Sequence, residues 1–260
     1  MYDYHLHSNF SPDSTETLDD IAKTAIERGL QEICITDHLE YAVSSHWPKD
    51  DLIDFAEYKK AIDIVRDKYA HKLTIKCGAE VGHYPTTTQK LNDYIKDIEL
   101  DFILCSFHIL GDYNDPKESA ISYFENLYHA ITHASKYSVI GHFDFFKRYI
   151  SDYVAEVDNK QILKQNYDII ETILKTAIQS GKGIEVNTSG FNYAMNSALP
   201  TEDILRLYKE LGGEIITTGS DSHKLKNIGG NFDIVYDMLK NIGFKYVCTF
   251  DNMQPIFNKI

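Results

Sequence analysis

His5-Leu6-His7 closes the first apolar run of the chain. Side chains alternate faces along a strand, so His5 and His7 would point the same way, roughly 7 Å apart. Two imidazoles so placed can share one metal ion. The arrangement recurs. Ile33-Cys34-Ile35-Thr36-Asp37-His38 delivers His38, Cys77-Gly78-Ala79-Glu80 delivers Glu80, and Leu104-Cys105-Ser106-Phe107-His108 delivers His108. Val139-Ile140-Gly141-His142 delivers His142, and Thr217-Thr218-Gly219-Ser220-Asp221-Ser222-His223 delivers Asp221 and His223 with the spacing of the first pair. Asp13 follows in the loop after the first run. Imidazole and carboxylate donors suit Zn²⁺, Mn²⁺ or Fe²⁺. This set exceeds the three or four protein ligands of one zinc ion. It would serve two or three divalent ions, especially if a carboxylate bridges.

Each residue has a plainer reading. A histidine after a strand is commonly a hydrogen-bonded loop residue, Asp221 could cap a helix, and Glu80 could be a surface carboxylate. Those readings would have to hold independently at six run ends. Other residues favour the plain reading. His129 and His133 have the i, i+4 spacing of half a zincin helix, but Ala130 stands where that helix carries glutamate. They read as ordinary helix residues, and His46 and His71 as structural or solvated ones. His83, just past Glu80, is a candidate substrate contact. Cys34, Cys77, Cys105 and Cys248 each lie in an apolar run without a C-x-x-C pair. They read as small buried residues in a reducing compartment rather than zinc ligands.

The elements that must position these donors can be read from periodicity. Strand-like runs cover 2–7, 32–36, 73–79, 102–106, 138–141, 183–186 and 214–218. Helical patterns lie between them. Leu18, Ile21, Ala22, Ala25 and Ile26 form one that stops at Gly29, and Ile162 to Ile178 form another that stops at Gly181. A shorter one, through Ile204, Leu205, Tyr208 and Leu211, stops at Gly212-Gly213. Strand alternating with helix favours a parallel sheet, either closed into a β/α barrel or open and doubly wound. No glycine-rich phosphate loop follows the first strand, which disfavours a nucleotide-binding open sheet. In barrels the active site forms at the C-terminal ends of the strands, where the donors fall here. No linker or repeat marks a second domain, so residues 1–260 are expected to form one. A last run, 245–250, has no place in this scheme.

The chain has 260 residues, 43% of them hydrophobic, enough for a sizeable core. Lys plus Arg is 26 against 39 Asp plus Glu, a formal charge of −13. That argues against nucleic-acid or anionic-membrane partners, which need a basic footprint. No stretch reaches the roughly 20 apolar residues of a membrane span, and the start lacks the form of a signal peptide. A cytoplasmic enzyme is the expectation.

The order of motifs, His-x-His, Thr-Asp-His, Gly-x-Glu, Ser-x-His, Gly-His-x-Asp and Asp-x-His, resembles the polymerase-and-histidinol-phosphatase (PHP) superfamily from residue 5 to residue 223. Within it the chain looks most like the histidinol-phosphatase branch. The segments carrying that likeness are His5-Leu6-His7-Ser8-Asn9-Phe10-Ser11-Pro12-Asp13, Gly141-His142-Phe143-Asp144-Phe145-Phe146-Lys147-Arg148-Tyr149 and Ile184-Glu185-Val186-Asn187-Thr188-Ser189-Gly190. The resemblance implies an α/β fold, a distorted TIM-like (β/α)7 barrel of PHP type, holding up to three ions. One ion would take His5, His7, Glu80 and Asp221. A second would take Glu80 as a bridge, with His108 and His142. A third would take Asp13, His38 and His223. Other branches carry histidine where Asp13 stands. The loop after Gly190 departs from many relatives, since Phe191-Asn192-Tyr193 supplies no basic residue.

The activity implied is hydrolysis of L-histidinol phosphate, a small phosphorylated amino alcohol of histidine biosynthesis. A hydroxide held between two ions would attack phosphorus in line with the leaving alkoxide. Glu80, as the bridge, would set the distance between the ions. Arg148 is the candidate phosphate clamp, with Lys147 the weaker one. Asp144 is a candidate general acid for the leaving group. Ser8 and Asn187 are candidate neighbours of the substrate. A lid could come from residues 39–51, which contain Glu40, Tyr41, His46, Trp47, Asp50 and Asp51, or from 187–200, which contain Phe191 and Tyr193. The alternatives are another PHP-type phosphoesterase, acting on phosphotyrosine or a nucleotide, an amidohydrolase-like C–N hydrolase, and a non-catalytic metal-binding protein. The C–N hydrolase would usually need a bridging lysine at a strand end, and none stands there.

Overall fold

The strand-like runs become a parallel sheet that curls until its first and last strands meet. The structure is a computed structural model that describes residues 1–43, 49–108, 116–148 and 159–260. His46, Trp47 and Tyr149 lie outside the described residues. The barrel strands are β1 (Tyr2–Leu6), β2 (Glu32–Ile35), β3 (His38–Leu39), β4 (Thr74–Gly82), β5 (Phe102–Ser106), β6 (Val139–Ile140), β7 (Gly183–Asn187) and β8 (Ile216–Gly219). They pair in the order β1-β2-β4-β5-β6-β7-β8, with the short β3 added to the upper part of β4. A parallel bridge between Leu6 and Ser222 joins the two edges, and the His7 N–H donates to Ser222 O at 3.0 Å. The result is a nearly closed, distorted TIM-like barrel.

The helices are α1 (Leu18–Glu27), α2 (Phe55–Tyr69), α3 (Thr88–Ile95), α4 (Pro116–His133), α5 (Asn159–Gln165), α6 (Tyr167–Gln179), α7 (Glu202–Glu210) and α8 (Phe232–Ile242). Each of α1 and α6 turns one apolar stripe to the barrel: Leu18, Ile21, Ala22 and Ala25 on α1, and Ile170, Ile173, Leu174 and Ala177 on α6. Thr17 caps α1 by accepting from the Asp20 N–H. At its other end Gly29 takes φ +71°, which lets the chain turn directly into β2. The run from Ile162 to Ile178 reads as one helix in sequence but is two, because the chain leaves helical geometry at Asn166 (φ −110°). The Asn166 side chain donates to Ile162 O there, competing with the helical ladder.

The last run, unplaced in sequence, is β9 (Tyr246–Asp251), which forms an antiparallel hairpin with β10 (Gln254–Lys259). Cys248 and Phe250 of β9 join Tyr4, Cys34, Phe102, Leu104 and Val139 in a cluster that plugs the floor of the barrel. The Phe250 N–H donates to the Tyr4 hydroxyl at 2.7 Å. Apolar packing below leaves the polar donors above. All four cysteines are buried free thiols. No helix among the described residues is long and apolar enough to cross a membrane.

Candidate metal centre and active site

Three local irregularities aim the donors. β1 carries one extra residue between Asp3 and Leu6 relative to β2. That bulge lets both Tyr4 and His5 face inward, Tyr4 onto Phe102 and His5 onto Glu80. β3 exists because residues 38–39 pair with 80–81, which sets His38 directly beside Glu80. His142 and Asp221 adopt positive φ, +21° and +51°, at the turns leaving β6 and β8. Such backbone is strained for non-glycine residues and is tolerated only where surrounding contacts enforce it.

The side chains converge around Glu80. Its Oε2 lies 3.1 Å from His5 Nε2 and 3.4 Å from His7 Nε2. Asp221 Oδ1 lies 3.7 and 3.5 Å from the same two nitrogens. The other oxygen, Glu80 Oε1, faces His142 Nε2 at 2.8 Å and His108 Nε2 at 3.2 Å. To one side, His223 Nε2 is 3.1 Å from Asp13 Oδ2 and 3.4 Å from His38 Nε2, and His38 Nε2 is 3.5 Å from Asp13 Oδ2. All nine expected donors are therefore brought together, and they fall into three adjoining sets, two of which share Glu80, while the third meets it through His38 Nδ1 at 3.0 Å from Glu80 Oε2. Ligand atoms on a tetrahedral ion with bonds of about 2.05 Å stand about 3.3 Å apart, which is the scale of these separations. His5 Nε2, His7 Nε2 and Glu80 Oε2 are buried and make no hydrogen bond. Buried polar atoms without partners are costly unless something else satisfies them, so the donor set fits divalent cations.

A further layer of polar groups orients the rings. His5 Nδ1 lies 2.7 Å from Glu185 Oε1, His108 Nδ1 2.5 Å from Glu40 Oε1, and His7 Nδ1 3.1 Å from Ser11 Oγ. Ser11 Oγ donates in turn to Asp37 at 2.6 Å. Carboxylates and hydroxyls behind histidines in this way fix the ring so that its second nitrogen faces the ion. Sequence reading placed Glu40 in a possible lid and gave no role to Asp37 or Glu185, although both stood inside quoted motifs. Asp37 and Glu40 flank His38, one residue before and two after, which was the available signal; Glu185 has no donor near it in sequence.

The electrostatics show a site that wants positive charge. Burial alone would raise the Glu80 carboxyl, but His5, His108 and His38 hold it well below the usual range. Burial acts the same way on Asp221, and His5 and His7 more than offset it. His38 is pushed up to about 10 because Glu80 and Asp13 outweigh its burial. His7 goes the other way, held well below its ordinary value by burial and by the charges of His223 and His38. Protons therefore cannot fill the cluster uniformly, whereas a divalent ion concentrates charge between the donors.

Above the cluster opens a cavity of about 370 Å³ whose lining includes Asp13, His108, Arg148, Tyr193, Asp221 and His223. The Arg148 guanidinium lies 4.1 Å from the Tyr193 ring centre and 5.2 Å from that of Phe145, with Nη1 3.9 Å from Asp221 Oδ2. Arginine so stacked presents its donors in a fixed plane. Lys224 and Lys226, from the loop after β8, also line the cavity. They supply the basic character that the loop after Gly190 lacks.

Four residues expected near the substrate do not line this cavity, nor does Lys147. Asp144 is buried and bound to the Lys147 ammonium and to the Thr201 N–H and hydroxyl. Lys147 and Asp144 are thereby paired with each other, and neither lines the cavity. Ser8 gives both its N–H and its hydroxyl to Asp37 at 2.6 Å each. Asn187 donates to Glu185 Oε2 at 3.1 Å and accepts from the Ser189 N–H at 2.9 Å. His83 is wholly buried, with neither ring nitrogen hydrogen-bonded. His129 and His133 stack on α4 with ring centres 3.9 Å apart, outside the groups of three or more donors found among the described residues.

A model of the PHP domain matches residues 3–189, most of the barrel and all the donors except Asp221 and His223. The chain belongs to the PHP domain family. Among PHP relatives, the histidinol-phosphatase of Lactococcus lactis is 29% identical over 99% of this chain and 97% of its own length. A Thermotoga maritima protein named "Probable histidinol-phosphatase" is also 29% identical, over 96% of this chain and 95% of its own. The crystal structure of the Lactococcus lactis histidinol phosphate phosphatase, complexed with zinc, L-histidinol and phosphate, superposes with a TM-score of 0.86. It is 27% identical and covers 98% of both chains.

Proposed function

We propose that this PHP protein is a histidinol-phosphatase, which hydrolyses L-histidinol phosphate to L-histidinol and phosphate at a centre of two or three divalent ions. The observation that carries the reading is Glu80, whose two carboxylate oxygens face two different sets of donors. His5, His7 and Asp221 complete the first set, and His108 and His142 the second. Asp13, His38 and His223 form the third. Zinc is the ion named for the similar Lactococcus lactis structure, and the mixed imidazole–carboxylate donors also suit manganese or iron. When bound, such ions activate water and offset charge on the phosphoryl oxygens.

The chain's own residues do the rest. Arg148, lying over the rings of Tyr193 and Phe145, grips phosphate oxygens from the open side. Lys224 and Lys226 attract the phosphate dianion to the cavity mouth. Phe145, Tyr193 and the histidine rings provide walls on which an imidazole can lie. Glu80, anchored by the Ser106 hydroxyl at 2.8 Å, keeps the two donor sets at fixed separation. Burial of the four cysteines as free thiols fits action in the reducing cytoplasm.

The test is a comparison of kcat/KM for L-histidinol phosphate, phosphotyrosine and p-nitrophenyl phosphate with metal-loaded protein. A strong preference for L-histidinol phosphate is expected. Equal turnover of all three, or preference for phosphotyrosine, would assign the chain to another phosphoesterase activity.

A further inference from the structure

Glu185 sits on β7, behind the metal centre and outside the nine donors, yet it touches two of the three donor sets. Its Oε1 lies 2.7 Å from His5 Nδ1, and its Oε2 accepts from the His142 main-chain N–H at 2.8 Å and from Asn187 Nδ2 at 3.1 Å. The side chain is 1% exposed, so water does not substitute for these partners. We propose that Glu185 is a positioning residue that couples the ion held by His5 to the ion held by His142. The inference rests on the multi-ion reading above.

Counting donors shows why a carboxylate is required. The His142 N–H and the Asn187 amide can only donate at these atoms. His5 must also donate from Nδ1 if Nε2 is to offer its lone pair to an ion. Three donors meet two acceptor oxygens, and glutamine of the same shape has one. Its amide NH₂ would have to face either His5 Nδ1–H or the His142 N–H. Facing His5, it would favour the opposite tautomer and take the lone pair away from the centre. Facing His142, it would release a main chain that is strained at φ +21° and held on its other side by the Tyr123 hydroxyl on His142 O, at 3.1 Å.

The neighbouring strand is shaped for this carboxylate. A Cβ at Gly219 would stand 2.1 Å from Glu185 Oε1 and 2.5 Å from His5 Cβ. Glycine there is what allows β8 to pass while the carboxylate reaches the His5 ring. Glu40 contrasts with it. Glu40 lies behind His108 at 2.5 Å and His38 at 3.8 Å, and its other oxygen accepts from the Tyr84 hydroxyl at 2.8 Å. Glu185 alone, among the described carboxylates behind the centre, joins a ring of the first set to the backbone of the second.

Glu185→Gln is the variant to make, with metal content read after titration with a competing chelator. Loss of such an outer partner typically costs about 10–100-fold in metal affinity. The expectation is that two ions weaken together by that factor while the ion at Asp13, His38 and His223 is retained. Metal binding with wild-type affinity at every site overturns the proposal and leaves the phosphatase reading intact. Wild-type protein that binds no metal overturns both. Should the variant fail to fold, side-chain ¹⁵N spectra of zinc-loaded wild-type protein decide the matter. A proton on His5 Nδ1 with Nε2 metal-bound supports the proposal, and the reverse overturns it.

Discussion

Glu80→Gln changes one atom type at the point where two donor sets meet, without changing volume. The glutamine keeps one carbonyl oxygen and puts an NH₂ in the other position. In one orientation the NH₂ replaces Oε2 and faces His5 Nε2 and His7 Nε2, at 3.1 and 3.4 Å. In the other it replaces Oε1 and faces His142 Nε2 and His108 Nε2, at 2.8 and 3.2 Å. An amide nitrogen has no lone pair for a cation, so one set loses a ligand in either case. Its imidazole nitrogens then gain a hydrogen-bond donor that competes with metal. A missing direct ligand should cost at least as much as a missing outer partner, so affinity at that site should fall by at least about 100-fold. If the reaction needs both ions, kcat/KM should fall by about 10³-fold, which corresponds to about 4 kcal/mol of transition-state stabilisation. The assays are phosphate release from L-histidinol phosphate and ions per chain after gel filtration. A variant with wild-type metal content and more than about a tenth of wild-type kcat/KM, a deficit under about 1.4 kcal/mol, would refute the bridging role.

Two further perturbations bear on other parts of the site. Arg148→Ala removes charge-assisted hydrogen bonds of about 1.5–3 kcal/mol, so kcat/KM should drop about 10- to 100-fold with metal content unchanged; an unchanged value would return Arg148 to a merely stacked surface residue. His83, pushed down to about 4 by burial with a smaller opposing pull from Glu40, should make the fold sensitive to acid. Its folded value lies below the unfolded value of 6.5, so the unfolded chain takes the proton first as pH falls. The stability is therefore complete above about pH 6.5 and is lost as pH falls toward about 4, reaching a deficit of about 2 kcal/mol near pH 5. His83→Leu should flatten that part of the urea-unfolding profile, and an identical pH slope in variant and wild type would refute it.

The parts of this protein legible in its sequence are those governed by local chemistry. Alternating apolar runs specified β1, β2, β4, β5, β6, β7 and β8, and apolar stripes ending in glycine specified α1 and α7, because burial of one face is a property of nearby residues. The nine candidate donors were legible because eight lie in or just past the end of a strand-like run, with Asp13 in the loop after the first, and strand ends of a barrel share one rim. What remained hidden depended on contacts distant in sequence. β3 is two residues long and exists through pairing with Glu80 and Val81. β9 closes the barrel floor on Tyr4, 246 residues from Phe250 in the chain. Asp144, Ser8, Asn187 and His83 looked available to substrate because sequence shows polarity but neither the partners that engage the first three nor the burial that encloses His83. Glu185 and Glu40 looked like ordinary strand and loop carboxylates until packing set them behind His5 and His108. The sequence by itself determined which atoms could bind metal. The tertiary structure decided which of them share an ion-sized space, because only the closure of β8 onto β1 brings Asp221 and His223 to His5, His7 and Glu80.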